Sequence, residues 1–408
     1  MRQLLVVVVL TLVCGAAQAD DLFNPVGDPV QPVAAIANIL GGAPEIRSRQ
    51  VTVDHAYFAA QAAAEGPSEL VINLFPDVIL HSQREKIVRK GNTIQWTGTV
   101  EGANVYGKAI FAVTGDIVVG LVQRDRRVFL VRPVTLHVLQ VTEIRQRLLP
   151  QGGIPVLTPE LVPVPPPPPP QPAELNVMVV WDAALSAVCY FPAMNVSYEM
   201  MFEGLLNSVW AQFTSVTITA NVTNYCSSHS ATGGNLSADL AWVSSNATIA
   251  AERDARAADL VSYMVPSSPI YCGLGYYNAP PVNATDEATA FSVVVDDCAA
   301  SAYALPHEIG HNLGMEHDRA HADVDDPARC NYGFHVTIDN VPYVRTVMAY
   351  DCPAGCEIIG VHSDPTTGWV GWPFNGTVKY GEACGSATAA DNVSQLEAAA
   401  SVAADFRP

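Results

Sequence analysis

The sequence is poor in positive charge and has no long apolar run beyond its first residues. Lysine and arginine number 21 against 40 aspartate and glutamate residues, a formal net charge of −19 over 408 residues. Such a surface repels nucleic acid and anionic lipid, so we expect neither as a partner. After the opening apolar run from Leu4 to Val13, no stretch reaches the roughly 18 apolar residues of a membrane helix. A membrane partner is therefore not expected.

Cysteine is also missing from a long part of the chain. None lies between residues 20 and 188, whereas eight follow that point. An even number of late cysteines predicts four disulfides formed in an oxidising compartment, with their pairing left open. The start agrees, because a short apolar run ends in Ala17-Gln18-Ala19, a small-x-small cleavage pattern. Residues 1–19 are predicted to be a signal peptide, and the mature protein is predicted to be secreted.

Glycosylation is predicted from seven Asn-x-Ser/Thr sequences, all after residue 174. Their number favours N-glycosylation, although hydroxyl-rich surface loops would raise it as well. The acceptor positions are Asn195, Asn221, Asn235, Asn246, Asn283, Asn375 and Asn392.

A proline-rich segment divides the chain. Residues 162–173 are nearly all proline and predict an extended linker without a core of its own. Residues 20–161 contain alternating apolar runs and are predicted to form a β-rich domain, with 13 lysine and arginine residues against 14 acidic ones. Residues 174–408 alternate strand and helix patterns, which predicts an α/β fold, and hold 7 basic against 26 acidic residues.

The most informative stretch is His307-Glu308-Ile309-Gly310-His311-Asn312-Leu313-Gly314-Met315-Glu316-His317. His307 and His311 are four residues apart, so on a helix they share one face and can bind one ion. On an unbroken helix His317 would lie about 9 Å further along the axis, out of reach of that ion. The chain must therefore leave the helix, and Gly314 can take the positive φ that this requires.

Three neutral imidazoles leave a fourth tetrahedral position on the metal, which is typical of a catalytic zinc ion. Zinc lowers the pKa of a bound water, and Glu308 can take its proton as general base when a peptide carbonyl is attacked. The sequence therefore predicts a zinc-dependent endopeptidase that acts on proteins and peptides. A solvated histidine-rich helix is the alternative, and the full eleven-residue pattern argues strongly against it.

A second motif follows at Arg345-Thr346-Val347-Met348-Ala349-Tyr350. Together the two motifs resemble the metzincin metallopeptidases, in which a methionine such as Met348 forms an apolar floor below the zinc. Asp318, directly after the third histidine, resembles the reprolysin (adamalysin) branch, where this residue braces the methionine turn. The chain is also similar to secreted enzymes of the peptidyl-Asp metalloendopeptidase type, in segments at 252–261, 272–276, 331–334 and 402–407. The resemblance implies a mixed five-stranded sheet whose edge strand pairs with extended substrate.

Two residues near this turn have open interpretations. Tyr350 stands two positions after Met348, where some other metzincins carry a tyrosine that approaches zinc or stabilises the oxyanion. It could equally be a packed tyrosine. Arg345 could attract an acidic substrate side chain, or it could make a structural salt bridge.

The position of the β-rich domain resembles that of the propeptide in secreted zymogens, so the enzyme is predicted to be made as a proenzyme and to have its own propeptide as a partner. A binding domain that stays attached is the alternative. Because no cysteine lies between residues 20 and 188, a cysteine thiolate cannot block the zinc. Latency would then need another ligand or plain occlusion.

Two further possibilities concern the whole protein and its acidic loop. A secreted adhesion or binding glycoprotein could use the same fold with a purely structural zinc ion, although such a site has no need of Glu308. The cluster of Asp323, Asp325 and Asp326 could bind a structural calcium ion through carboxylate oxygens, or form a solvated acidic loop.

Overall fold

A computed structural model describes residues 21–407, except 33–44, 103–106, 126, 147–148, 150, 159–168, 212–213, 324, 339–340, 353–354, 367 and 371–376. The predicted signal peptide and most of the predicted linker lie outside the described residues. Their assignments therefore stay predictions.

The first region is one antiparallel sheet of nine strands with a short helix, α1 (His55–Ala63). The strand order is β1-β2-β9-β8-β7-β6-β5-β4-β3, so most neighbours in the sheet are also neighbours in the chain. The strands are β1 (Phe23–Pro25), β2 (Glu45–Val53), β3 (Glu69–Phe75), β4 (Val78–Lys90), β5 (Thr93–Val100), β6 (Lys108–Thr114), β7 (Ile117–Arg124), β8 (Arg127–Pro133) and β9 (Leu139–Ile144). The prediction of a β-rich N-terminal region is confirmed.

Tight turns separate several strands of this sheet. The apolar run from Glu69 to Leu80 forms parts of two strands, because the chain turns back at Pro76 and Asp77 to begin β4. Gly91 joins β4 to β5 and Gly115 joins β6 to β7, and both glycines have a positive φ.

The second region contains a mixed sheet that holds the site. Its strands are β12 (Ala173–Trp181), β13 (Ile218–Cys226), β14 (Leu260–Val265), β15 (Tyr271–Tyr277) and β16 (Phe291–Val295). They lie in the order β15-β16-β14-β12-β13, and β15 alone among them runs antiparallel to its neighbour. The complete sheet has seven strands instead of the expected five, because β10 (Gln151–Gly152) and β11 (Val156–Leu157) also pair with β15.

Several helices pack against the strands of this sheet. The helices of this region are α2 (Ala187–Tyr190), α3 (Pro192–Trp210), α4 (Leu236–Ser245), α5 (Ala247–Ala255), α6 (Asp296–Ser301), α7 (Ala304–Asn312) and α8 (Asn392–Ala403), with 3-10 turns at Ala183–Leu185 and Ala284–Thr289. The predicted α/β content is confirmed. The helix that carries His307 and His311 is α7, which begins directly after Tyr303, a residue with a positive φ of 54°.

After α7 the chain forms short strands and loops. The strands are β17 (Glu316–Asp318), β18 (Tyr332–Gly333), β19 (His335–Ile338), β20 (Val341–Arg345), β21 (Glu357–Ile358), β22 (Gly368–Val370) and β23 (Thr377–Lys379). The eight late cysteines form four disulfides, as predicted, and the structure pairs Cys189–Cys226, Cys272–Cys298, Cys330–Cys384 and Cys352–Cys356.

The two regions share one hydrophobic core. Buried side chains of β6, β7 and β8, among them Ile110 and Leu121, pack with buried residues of α3 such as Phe202. Polar contacts cross the same boundary. Arg132 donates to Asp297 at 2.6 Å, and Gln146 donates to the carbonyl of Ser301 at 2.9 Å. The first region is thus packed directly against the elements that lead into α7.

Candidate metal centre

Three imidazoles from α7 and β17 meet at one point. His307 and His311 lie one turn apart on α7, and His317 lies on β17. The Nε2 atom of His317 is 3.2 Å from Nε2 of His307 and 3.1 Å from Nε2 of His311. All three side chains are at most 5 % exposed. The structure therefore brings together the three histidines that the sequence selected.

The chain reaches His317 by a sharp reversal after α7. Gly314 has a φ of +81°, and the N–H of Met315 donates to the carbonyl of Gly310 at 2.9 Å. Asn331 donates from its side chain to the carbonyl of Gly314 at 2.6 Å. The glycine thus provides the left-handed conformation that ends the helix, and Asn331 holds the turn in place.

Hydrogen bonds and burial prepare the rings to bind a metal. The Nδ1 atom of His307 lies 2.8 Å from the carbonyl of Val347, and Nδ1 of His311 lies 2.9 Å from that of Met315. Donation from Nδ1 leaves Nε2 as a lone-pair acceptor. Burial lowers the pKa of His307 to about 4 and holds those of His311 and His317 well below the ordinary value. Three neutral acceptors so close together fit a shared cation such as zinc.

Glu308 lies beside the three rings and is fully buried. Neither carboxylate oxygen has a hydrogen-bond partner of normal geometry among the described residues. The carboxylate packs on two glycines of β15, since a Cβ added to Gly273 would lie 2.5 Å from Oε1 and one added to Gly275 would lie 3.3 Å from Oε2. Burial raises the pKa of Glu308 well above its ordinary value. A buried carboxyl without a side-chain partner is costly, which makes Glu308 a candidate functional group.

Below the site the chain forms the turn that carries Met348. A Cβ added to Gly310 would lie 2.6 Å from the sulfur of Met348, so this thioether packs against α7 under the imidazoles. Asp318 accepts a hydrogen bond from the backbone N–H of Tyr350 at 2.9 Å. The Tyr350 ring lies 4.1 Å from that of His317, centroid to centroid. Asp318, Met348 and Tyr350 thus surround the ligands, where the sequence placed them.

Arg345 lines a small cavity beside His307, one of the three histidines. Its walls include Ala304, Val347 and Ile358 as well as His307 and Glu308. The Arg345 side chain is 14 % exposed, and Nη1 donates to the carbonyl of Ala349 at 2.6 Å. Among the residues that the structure describes, its Nε has no hydrogen-bond partner, and it stands 4.0 Å from Asp351. Arg345 is therefore a mostly buried cation whose charge is only partly compensated.

Sequence reasoning did not select Gly152, yet this residue lies in the site. A Cβ added to Gly152 would lie 2.6 Å from Nε2 of His307 and 3.2 Å from Oε1 of Glu308. The hydroxyl of Tyr350 donates to the carbonyl of Gly152 at 2.7 Å. The signal was the pair Gly152-Gly153 before the proline-rich segment, but no pattern in the sequence connects that pair to α7.

Two other groups of side chains could be considered as metal ligands, but most of their members already have other partners. His335 lies near Cys352 and Cys356, but these cysteines form a disulfide and offer no thiolate. In the acidic loop, Asp325 pairs with Arg319, and Asp326 pairs with Arg329 at 3.3 Å. Two of its three carboxylates therefore have basic partners, and a calcium ion there stays a prediction.

Among the described residues, no helix combines the length and the apolar character needed to cross a membrane.

Comparison with known proteins gives one family and several relatives. Residues 204–318 match the model of the reprolysin-like metallopeptidases of family M12B. The peptidyl-Asp metalloendopeptidase of Stenotrophomonas maltophilia is 27 % identical over 434 residues, covering 97 % of this chain and 96 % of the relative. That of Xanthomonas campestris pv. campestris is 27 % identical over 388 residues and covers 88 % and 87 %.

Among solved structures, metalloproteinase-II from Bacteroides fragilis is similar with a TM-score of 0.39 and 14 % identity, covering 68 % of this chain and 87 % of that one. The match to the family ends at Asp318 and includes all three histidines.

Proposed function

We propose that this chain is a secreted zinc endopeptidase, that it is made as a proenzyme, and that Glu308 is its general base. The match to the reprolysin-like metallopeptidases and the relatives named as metalloendopeptidases support this proposal. The observation that carries this proposal is the unpartnered Glu308 carboxylate beside three converging imidazoles. His307, His311 and His317 would hold the zinc ion. When bound, zinc supplies a Lewis acid that polarises the substrate carbonyl and lowers the pKa of a coordinated water.

Glu308 moves the proton. Its oxygens face the space beside the imidazoles and are not engaged by other side chains, so one of them can accept a proton from the attacking water. The same carboxyl can then donate that proton to the nitrogen of the leaving amine. An adhesion protein with a structural zinc ion has no use for a buried, unpaired carboxylate, so this alternative is not favoured.

Endopeptidase action is supported by the shape of the sheet edge. Strand β15 is an outer strand among the five that follow residue 172, and it passes directly along Glu308 at Gly273 and Gly275. Strands β10 and β11 of the same chain pair with its outer side, where a substrate would take their place. An extended peptide paired with this strand would receive main-chain hydrogen bonds without needing a free end. The substrate can therefore extend past the site on both sides.

We propose that the substrate carries an aspartate next to the scissile bond. Both curated relatives are named as peptidyl-Asp metalloendopeptidases, and the cavity beside His307 and Glu308 contains Arg345. The Nε of this arginine has no hydrogen-bond partner in the described structure. A short acidic side chain entering the cavity would complete its charge pairing.

Tyr350 would act on the carbonyl oxygen. Its hydroxyl already donates to a peptide carbonyl beside the ligands, that of Gly152, at 2.7 Å. A substrate carbonyl in that position would receive the same hydrogen bond, which strengthens as negative charge develops on the oxygen.

The central experiment compares Glu308→Ala with Glu252→Ala, a matched change on the surface of α5. We expect Glu308→Ala to keep zinc after dialysis and to lose hydrolysis of a fluorogenic peptide by about 100- to 10,000-fold. Glu252→Ala should behave like the original chain. A chelator should abolish hydrolysis and added zinc should restore it. Unchanged hydrolysis by Glu308→Ala would refute the role of general base, and a zinc-loaded, processed protein without any hydrolysis would favour the adhesion alternative.

A further inference from the structure

A second group of possible metal ligands lies beside the backbone of Tyr350. One ring nitrogen of His335 and the sulfurs of Cys352 and Cys356 lie within 4.8 Å of one another. In a tetrahedral zinc site, bonds of about 2.3 Å to sulfur and 2.0–2.1 Å to nitrogen place the ligand atoms roughly 3.5–3.8 Å apart. The imidazole is therefore within reach of an ion shared with the two sulfurs. In the oxidised chain the disulfide between the cysteines prevents such an ion from binding.

Strand pairing holds the histidine and one of the cysteines in place independently of the disulfide. His335 begins β19 and pairs with Arg345 at the end of β20. Strand β21 begins at Glu357, directly after Cys356, and pairs with the other side of β20. The three strands form one small sheet in the order β19-β20-β21. Opening the disulfide therefore leaves these two residues near each other.

The side chain of Asp351 fixes the backbone of both cysteines. Its Oδ1 accepts a hydrogen bond from the N–H of Cys352 at 3.0 Å and another from the N–H of Cys356 at 3.1 Å. Between them, the N–H of Gly355 donates to the carbonyl of Cys352 at 2.7 Å, in a turn where Gly355 has a φ of +73°. None of these bonds involves a sulfur atom. The two thiols of a reduced chain therefore stay close together.

A backbone carbonyl orients the imidazole of His335, as it does for two rings of the histidine centre. The Nε2 atom of His335 lies 2.6 Å from the carbonyl of Tyr350. Donation from one ring nitrogen to a carbonyl fixes the ring and leaves the other nitrogen with a lone pair. His307 and His311 each bond a backbone carbonyl in the same way. The surroundings of His335 thus suit a metal ligand.

We propose that His335, Cys352 and Cys356 form a second metal site in the reduced chain, and that this site binds a borderline-soft divalent cation such as zinc. A small dithiol passes two electrons and two protons to the disulfide and becomes a disulfide itself. The cation then displaces the two thiol protons and binds the thiolates. Two thiolates and an imidazole favour zinc over magnesium or calcium, which prefer oxygen ligands. The turn that follows Tyr350 is thus closed by a covalent bond under oxidising conditions and by a metal ion under reducing ones.

The main test uses the full chain, reduced with a water-soluble phosphine under nitrogen and titrated with Co²⁺ as a spectroscopic probe for zinc. Thiolates bound to cobalt give a charge-transfer absorption in the near ultraviolet, which the three imidazoles of the histidine centre cannot give. We expect this absorption in the reduced chain and not in the oxidised chain. Replacing Cys352 and Cys356 by serine should remove it. The matched control replaces Cys330 and Cys384, another disulfide pair of the same region, and should keep it.

The role of the histidine has its own variant. His335→Ala should weaken cobalt binding at the thiolates by at least about tenfold, because one ligand and its oriented ring are lost. An absorption that persists without Cys352 and Cys356 would overturn the inference, since other thiols would then be the ligands. Its absence from the reduced original chain would overturn it as well.

A second readout needs no serine variant and covers the case in which those variants fail to fold. The reduced chain is alkylated briefly with iodoacetamide, with or without Zn²⁺, and mass spectrometry measures the modification of each cysteine. Zinc should slow the alkylation of Cys352 and Cys356 by at least about tenfold and leave Cys330 and Cys384 unchanged, because only free thiolates react. Equal protection of both pairs, or of neither, would contradict the inference.

The same measurement in a His317→Ala chain separates the two metal sites. This chain lacks one ligand of the histidine centre, and zinc should still protect Cys352 and Cys356 in it. Loss of protection would assign the effect to zinc at the histidine centre and would overturn the second site. Absorption and alkylation do not report peptide hydrolysis, so a failure of the proposed peptidase function would be seen separately.

Discussion

Buried charged groups of the two regions have different surroundings. In the first region, Lys108 pairs with Glu85, and Glu143 pairs with Arg47 and Arg127. Around the metal site of the second region, the Glu308 oxygens, Nε of Arg345 and both ring nitrogens of His362 are buried without a hydrogen-bond partner among the described residues. Uncompensated polar groups destabilise a folded chain. The ion pairs of Lys108 and Glu143 therefore stabilise the first region, whereas the polar groups at the metal site of the second region are available to a ligand.

The regions also differ in how their sheets are held together. The first sheet is formed mostly by hairpins between successive strands, which close short loops. The second sheet needs crossovers, for example from β12 to β13 through α3. All four disulfides lie in this second region, where longer loops make a covalent link more stabilising.

The largest expected effect compares a histidine of the metal site with a histidine of the first region, in zinc binding and in peptide hydrolysis. His317→Ala removes one of three converging ligands, and His137→Ala removes an exposed ring of the first region. We expect His317→Ala to weaken zinc binding by at least about 100-fold and to remove peptide hydrolysis, with no loss of either in His137→Ala. Elemental analysis after dialysis measures the zinc. If His317→Ala kept all of its zinc, His317 would not be a zinc ligand.

The next effect tests the boundary between the regions. Arg132 is buried at the interface with Asp296 and Asp297, whereas Arg127 on the same strand is 41 % exposed. Arg132→Ala should lower the free energy of unfolding by about 3–5 kcal/mol, because it leaves buried carboxylates without their cation. Arg127→Ala should change it by about 1 kcal/mol or less, since Glu143 keeps Arg47. Denaturant titration measures both, and equal losses would contradict the assignment of the interface.

A smaller effect is expected from the disulfide that fastens the edge strand. Cys272 and Cys298 join β15 to α6 across 26 residues, whereas Cys352 and Cys356 close a loop of 4. Replacing the first pair by serine should lower the free energy of unfolding by about 3.5 kcal/mol and the second by about 2 kcal/mol, by loop-closure entropy. If denaturant titration gave the larger loss for the short loop, the entropic account would be wrong.

The smallest expected effect concerns Arg345, whose positive charge is only partly compensated by its neighbours. We compare two peptides that differ only in aspartate or alanine beside the scissile bond. Arg345→Gln should reduce the ratio of kcat/KM for the aspartate peptide to that for the alanine peptide by about tenfold, because the charge pair between Arg345 and the substrate aspartate is removed. Arg329→Gln, in the acidic loop outside the cavity, serves as the control. An unchanged ratio in Arg345→Gln would assign that arginine to structure, through its bond to Ala349.

Prediction from sequence succeeded where the determinant is local. The four-residue spacing of His307 and His311 defines one helix face, and Gly314 takes the left-handed conformation that brings His317 back. It did not identify β15 as a strand, because Gly273 and Gly275 interrupt the apolar pattern there. Those glycines are needed for a tertiary reason, since Glu308 packs directly on them.

The sequence by itself determined which three histidines come together, where the helix that carries two of them ends, and how many disulfides form. Each of these depends on residue type and short spacing. Only the tertiary structure decided which cysteines pair, that Arg345 enters the cavity beside His307, and that Gly152 lies across the ligands. Except for the Cys352–Cys356 pair, these contacts join residues tens to hundreds of positions apart. The position of Gly152 depends on the packing of the first region against α3 and α6 and on the pairing of residues 151–157 with β15, which no local pattern encodes.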